Sequence, residues 1–218
     1  MEQINENKQS YKLSYHGKGL DYFVIMVVNA ILTAVTFSIY YPWARAKELK
    51  YVYGSTSFNG DRFSFSGTGK EMFIGYLKTV LIFAVMFAAY ISLILAEKLV
   101  LAIIVLYVLL IAIVPLAIHG SYRYRMARTS WRGIRFGYRG DKKELILGFI
   151  KWFLLTIVTF GIYGAWYSVN INNYVIGHIR AGNVEFKYNA KGFEYFLILL
   201  KGYFLSLLTL GIYGFWWY

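Results

Sequence analysis

The chain has 218 residues, 58% of them hydrophobic, 20% aromatic and only 16% charged, with 23 Lys and Arg against 11 Asp and Glu for a net charge of +12. A soluble domain is nearer 45–50% apolar, and here the charges avoid several long windows altogether, which excludes an ordinary soluble globular domain. The absence of cysteine excludes a disulfide framework, a metal–thiolate centre and a thiol nucleophile.

The first residues, "MEQINENKQSYKLSYHGKG", are polar and mixed in charge and lack the short basic start of a signal peptide. No charge falls in the 20 residues Tyr22–Tyr41, the 18 of Thr79–Ala96 or the 20 of Leu99–Ile118, nor anywhere in Trp152–Ile179. About 20 apolar residues rising 1.5 Å each cross a hydrocarbon core of about 30 Å. The windows predict spans at Asp21–Tyr41, Met72–Ala96, Leu99–Ile118, Leu145–Trp166 and Tyr195–Trp217. The expected fold is an all-α membrane protein with about five transmembrane helices, the first of them retained.

The helices come from a repeat. "YHGKGLDYF" from Tyr15, "FSGTGKEMF" from Phe65, "YRGDKKELI" from Tyr138 and "YNAKGFEYF" from Tyr188 align without gaps. Each begins with an aromatic residue and places an acid seventh: Asp21, Glu71, Glu144 and Glu194. The implied organisation is a polar tail 1–14, then units 15–64, 65–137 (with an extra span), 138–187 and 188–218, the last incomplete. Before the later units, "FNGDRFSFSG", "WRGIRFGYRG" and "AGNVEFKYNAKG" alternate aromatic and polar residues after glycine, which predicts short surface strands or hairpins.

Where an apolar run stops, a phrase recurs: Thr36, Tyr40 and Trp43; Thr159, Gly161, Tyr163 and Trp166; Thr209, Gly211, Tyr213 and Trp216. Trp and Tyr favour the membrane–water boundary, and glycine lets a helix end or a neighbour approach. The phrase reads as a helix exit with an aromatic anchor, or as a broken helix lining a site.

The stretch "LTAVTFSIYYPWARAKELKYVYGSTSFNGDRFSFSGTGKE" resembles the YjgN family of uncharacterised bacterial inner-membrane proteins. Its hallmark is Thr-x-Gly-Ile-Tyr-x-Pro-Trp, a basic Tyr-rich helix, then Gly-x-x-Phe-x-Phe-x-Gly-x-Gly. The resemblance runs from about Tyr11 onward and implies a multi-pass inner-membrane location and no known activity. Ser38 replaces the hallmark glycine in the first copy, and Pro42 has no counterpart in the later ones. Family members are expected to continue past Tyr218, so the chain is expected to be a piece of a longer one.

His119–Lys143 carries eight Lys and Arg against one Asp, and Ala44–Lys70 five against two acids. Both flank the helical pair joined by Glu97-Lys98, which places them together on the cytoplasmic side. Counting spans then puts Tyr167–Phe193 outside and inverts the two halves, as in many secondary transporters. Re-entrant units with every lead-in on one face are the alternative, and both stay open.

Lys78, Lys151 and Lys201 each lie seven residues beyond Glu71, Glu144 and Glu194, two helical turns or about 10 Å along one face. Facing inward they form an anion site; facing outward they snorkel to the interface. Arg45, Lys47, Arg123, Arg125 and Arg128 sit among aromatics and suit anionic phospholipid. The expected partners are therefore membrane lipids, with homo-oligomers allowed and nucleic acid not expected. Three scattered histidines suggest no metal site, and no catalytic constellation or cofactor motif emerges, so no enzyme is expected. The leading expectation is a small-solute or anion transporter or channel. Its rival is a non-transporting scaffold or anionic-lipid-binding protein.

Overall fold

The computed structural model describes residues 12–214. By its contacts the chain divides into two units, Met1–Ala88 with Arg125–Phe136, and Ala89–Tyr124 with Gly137–Tyr218.

In the first unit, strand β1 (Leu13–Tyr15) leads into helix α1 (Gly19–Val35), and α2 (Tyr41–Ser55) leads out into β2 (Thr56–Phe58) and β3 (Asp61–Phe65). A ladder of contacts fixes how α1 and α2 run. Leu13 pairs with Phe58, His16 N–H donates to Ser55 O, the Tyr51 hydroxyl donates to Lys18 O at 2.9 Å, and Tyr22 donates to Glu48 at 3.0 Å. Further along, Asn29 donates to Ala44 O at 3.1 Å. Rising numbers on one helix meet falling numbers on the other, so α1 and α2 form an antiparallel hairpin that begins and ends at paired strands. Ala44, Ala46 and Leu49 are buried, and Tyr53 stacks on Phe65 at 5.6 Å. The start of α3 (Gly69–Leu95), the end of α4 (Leu99–Arg128), β4 (Thr129–Trp131) and most of β5 (Ile134–Tyr138) complete this unit.

The second unit repeats the device. Helix α5 (Lys142–Val158) and α6 (Gly164–Gly177) are followed by β6 (Ile179–Ala181), β7 (Val184–Glu185) and α7 (Gly192–Leu208). Arg139 N–H donates to His178 O, the Tyr174 hydroxyl donates to Asp141 O at 2.8 Å, and Phe149 meets Tyr167 edge-on at 5.6 Å. These contacts make α5–α6 an antiparallel hairpin too, with Leu145, Phe149, Ala165, Val169 and Val175 buried.

Two findings overturn the all-α, five-span expectation. The strand-like lead-ins are paired strands, β1 to β5 in chain order in the first unit and β6 with β7 in the second, all antiparallel with registers such as Phe63↔Trp131 and Arg180↔Glu185. Among the described residues only α3 and α4, of 27 and 30 residues, are long and apolar enough to cross a bilayer. Helices α1, α5 and α7 have 17 residues each, about 26 Å at 1.5 Å per residue and short of a hydrocarbon core of about 30 Å. The physical reason is the turn. Its residues are as apolar as the helix before it, so a hydropathy window runs through a chain reversal without registering it.

The burial of α1 is inverted. Its one buried residue is Asn29, while Val28, Ile31 and Val35 are exposed. Apolar side chains outward and a polar one inward suit a lipid surround rather than water.

Candidate functional site

The recurrent phrase is a hydrogen-bonded reversal. The Thr36 hydroxyl donates to Leu32 O at 2.7 Å and accepts from Tyr40 N–H at 3.0 Å. Thr159 bonds Leu155 O at 2.7 Å and Tyr163 N–H at 3.0 Å; Thr209 bonds Leu205 O at 2.8 Å and Tyr213 N–H at 2.9 Å. One threonine hydroxyl thus adds a second bond to the carbonyl four residues back, which already accepts the threonine's own N–H, and takes up the amide four residues on. Gly161 N–H also reaches back to Thr156 O at 2.7 Å, as Gly211 does to Ser206 and Ser38 to Thr33, a Schellman closure. Gly161 and Gly211 stand at φ +90, and Ser38 holds the equivalent place at φ 70. Trp216 lies outside the described residues.

At the tip of each turn sits a large apolar residue in the left-handed region: Phe37 at φ 48, Phe160 at φ 50 and Leu210 at φ 49. They are 90%, 98% and 95% exposed. In water both features are unfavourable. The backbone conformation costs about 1–2 kcal/mol relative to glycine, and the exposed side chain forgoes about 1.5–3 kcal/mol of burial. A hydrocarbon surround recovers the second, larger quantity.

Behind the tips at Phe37 and Phe160 a tryptophan fixes the next helix. Trp43 stacks with Tyr40 at 6.3 Å and packs on Phe73 at 5.1 Å; Trp166 stacks with Tyr163 at 6.0 Å and Phe196 at 5.5 Å. A β-carbon at Gly69 would collide with the Trp43 ring, and one at Gly192 with Trp166. Glycine is therefore required by close approach at both helix starts.

Two of the seventh-position acids reach across to another element and one stays at its own helix start. Glu71 pairs with Arg128 at 2.5 Å, Glu144 accepts from Tyr174 at 3.1 Å, and Glu194 meets Lys191 at 3.4 Å. Lys78, Lys151 and Lys201 are all exposed. Of the basic set, Lys47 and Arg123 are exposed and Arg45, Arg125 and Arg128 half-buried, with Arg45 held by Glu48 at 2.5 Å. Arg132 pairs with Asp61 and lies 4.7 Å from the Trp131 ring centre.

The sequence did not reveal a buried polar cluster in the second unit. The His119 ring meets Tyr138 edge-on at 5.3 Å, and Tyr138 lies 6.5 Å from His178. His119 Nδ1 and the Tyr138 hydroxyl are buried without a hydrogen-bond partner, and burial pushes the Tyr138 phenol up to about 12. His119 and His178 read as isolated in sequence because their meeting point is a strand residue distant from both. The hairpin closers Tyr51 and Tyr174 were missed as well. Their signal was available, since they stand 123 residues apart, as Thr36 and Thr159 do. Among the described residues no three His, Asp or Glu gather as metal ligands.

Comparison with known proteins places residues 10–192 in a family described as bacterial proteins of unknown function, DUF898. The chain is similar to "Inner membrane protein YjgN" of Escherichia coli O157:H7 and of Escherichia coli strain K12, 32% identical over 160 residues, 73% of this chain and 38% of each relative. It is 29% identical over 178 residues to the protein of that name in Salmonella typhimurium, 76% of this chain and 44% of the relative. The chain thus spans about two fifths of the length of these curated relatives. No solved structure matches it.

Proposed function

Since the chain belongs to the DUF898 family of bacterial proteins, we propose that it is an inner-membrane scaffold that binds anionic lipid and moves no solute. Its relatives bear the name inner membrane protein. In this reading α3 and α4 cross the bilayer as a multi-pass core, and the short hairpins dip partway in and return to their own strands. The observation that carries it is the set of exposed, left-handed apolar tips at Phe37, Phe160 and Leu210.

The depth follows from the repeat. Charge-free stretches of α3 and α4 begin after Lys78 and end before His119, which marks one interface. Lys151 and Lys201 hold the position of Lys78 in their units and are exposed, as snorkelling lysines are. The same position in α1 is Val28, so α1 continues about 10 Å beyond the interface before the turn. Lys47 and Lys50 then stay at or above the headgroups, and Arg123, Arg125 and Arg128 reach anionic lipid at about 1 kcal/mol each. Outward lysines speak against an anion path.

The chain lacks cysteine, so single cysteines report topology directly. Lys12→Cys and Asn59→Cys, which flank α1–α2, should react with an impermeant reagent from the same side of oriented vesicles, and Phe37→Cys should be quenched by nitroxides on lipid tails. Reaction of Lys12→Cys and Asn59→Cys from opposite sides overturns the re-entrant hairpin. Anion flux in proteoliposomes that Lys78→Gln abolishes overturns the scaffold.

A further inference from the structure

The geometry points to a lipid-headgroup site in the groove between α1 and α2, selective for a glycerophospholipid whose headgroup carries a hydrogen-bond donor. The groove holds about 430 Å³ and is lined by Met26, Asn29, Thr33, Ser38, Arg45 and Glu48 among others. Its charged groups are confined to one end. Arg45 and Glu48 lie with Asn29 where Asn29 meets Ala44, while Ala30, Ala34 and Tyr41, with the hydroxyls of Thr33 and Ser38 among them, continue toward the tip. A charged end followed by an uncharged one matches a headgroup followed by the start of an acyl chain. The match in depth rests on the partial insertion of this hairpin proposed above.

Hydrogen-bond capacity selects the ligand. Both Glu48 carboxylate oxygens are engaged, one by Tyr22 at 3.0 Å and one by Arg45 at 2.5 Å. The guanidinium, fixed in place by that pair, keeps other N–H donors for a phosphodiester. Asn29 is 7% exposed; its Nδ2 is used on Ala44 O, and its Oδ1 is buried with no partner. A buried amide oxygen without a donor is costly, and a small rotation toward the groove lets a headgroup ammonium or hydroxyl supply one. Phosphatidylethanolamine and phosphatidylglycerol both carry phosphate plus donor. Phosphatidylcholine and phosphatidylmethanol carry the phosphate alone.

The test is equilibrium binding of short-chain forms of these four lipids to the full chain in neutral detergent. Phosphatidylethanolamine should bind roughly tenfold more tightly than phosphatidylcholine, and phosphatidylglycerol roughly tenfold more tightly than phosphatidylmethanol, the scale of one added hydrogen bond. Asn29→Leu should erase both differences, while Arg45→Gln, at a half-exposed position, should weaken all four. Binding that follows net charge alone, or discrimination that survives Asn29→Leu, overturns the site. Inorganic phosphate competing as well as the lipids do overturns the lipid assignment. Retained affinity in Arg45→Gln removes the phosphate contact, and the proposal with it, even if Asn29→Leu does not fold. Because the readout is in detergent, it fails or succeeds independently of vesicle topology.

Discussion

Hairpins α1–α2 and α5–α6 share a frame and differ in their interiors. Offset by 123 residues, Thr36 and Thr159 close the turns, Phe37 and Phe160 form the tips, and Tyr51 and Tyr174 tie the helix returns to Lys18 and Asp141. Inside, α5–α6 is filled by Phe149, which lies 6.2 Å from Phe153 and 5.6 Å from Tyr167. The α1–α2 interior instead holds Asn29 beside the Arg45–Glu48 pair. Fold is specified by the frame, which repeats. The interior is free to diverge, and that is where a binding difference between the hairpins can arise.

The sharpest way to break this comparison is to empty one interior and grease the other. Phe149→Ala should cost about 3–5 kcal/mol, as for a buried aromatic, read as a large drop in the thermal unfolding midpoint in mild detergent. Asn29→Leu should stay within about 1 kcal/mol of the parent chain, because the lost bond to Ala44 is offset by removal of an unpaired buried oxygen. Equal losses at the two sites would mean that Asn29 is a packing residue and the interiors do not differ in kind. Next in size are the helix starts. Gly69→Ala and Gly192→Ala should each cost about 1–3 kcal/mol by forcing a methyl into a tryptophan ring. Matching penalties sharpen the claim that both hairpins use one frame.

A smaller exchange tests the turn itself. Ser38→Gly should stabilise by about 1 kcal/mol and Gly161→Ser destabilise by about as much, since both positions sit at positive φ and only glycine is unstrained there. Unfolding midpoints that move in the same direction for both substitutions would show that the two turns are not equivalent.

Much of this architecture was legible in sequence, and what was not has a common cause. Charge-free windows revealed the membrane character, the aligned acids gave the helix starts, and alternating aromatics after glycine gave the strands. The Thr-x-x-x-Tyr spacing located the turns because a threonine hydroxyl bridges i−4 to i+4. The direction of the chain after each turn was not legible. Phe37, Ile39, Phe160 and Ile162 are as apolar as the helices they follow, and the information lies in φ values rather than hydropathy. The exposure of Lys78, Lys151 and Lys201 is not something that period alone fixes. Nothing in the charge-free window Tyr22–Tyr41 singles out Asn29; its burial depends on α2 folding back against it.

The smallest expected difference between the hairpins lies at their first turns, and it depends on pH. Asp141 caps α5, accepting from Lys143 N–H at 2.8 Å and Glu144 N–H at 3.0 Å, and the bond from Glu144 leads the causes that hold its carboxyl below the ordinary value of 3.8. The equivalent residue before α1 is Lys18, which makes no side-chain cap. A carboxyl lowered by folding adds stability at pH values above its unfolded pKa and loses it as pH falls through the lower folded value. Hydrogen exchange normalised for its intrinsic pH dependence should therefore show α5's first turn losing protection as pH falls below about 4, near the ordinary aspartate pKa, while α1's first turn stays unchanged. Asp141→Asn keeps a capping oxygen without a titrating proton, so it should flatten the α5 response and leave protection at neutral pH nearly intact. Were α1 to lose protection in parallel, or the asparagine variant to keep the pH response, the acid sensitivity would belong to the whole chain and not to this cap.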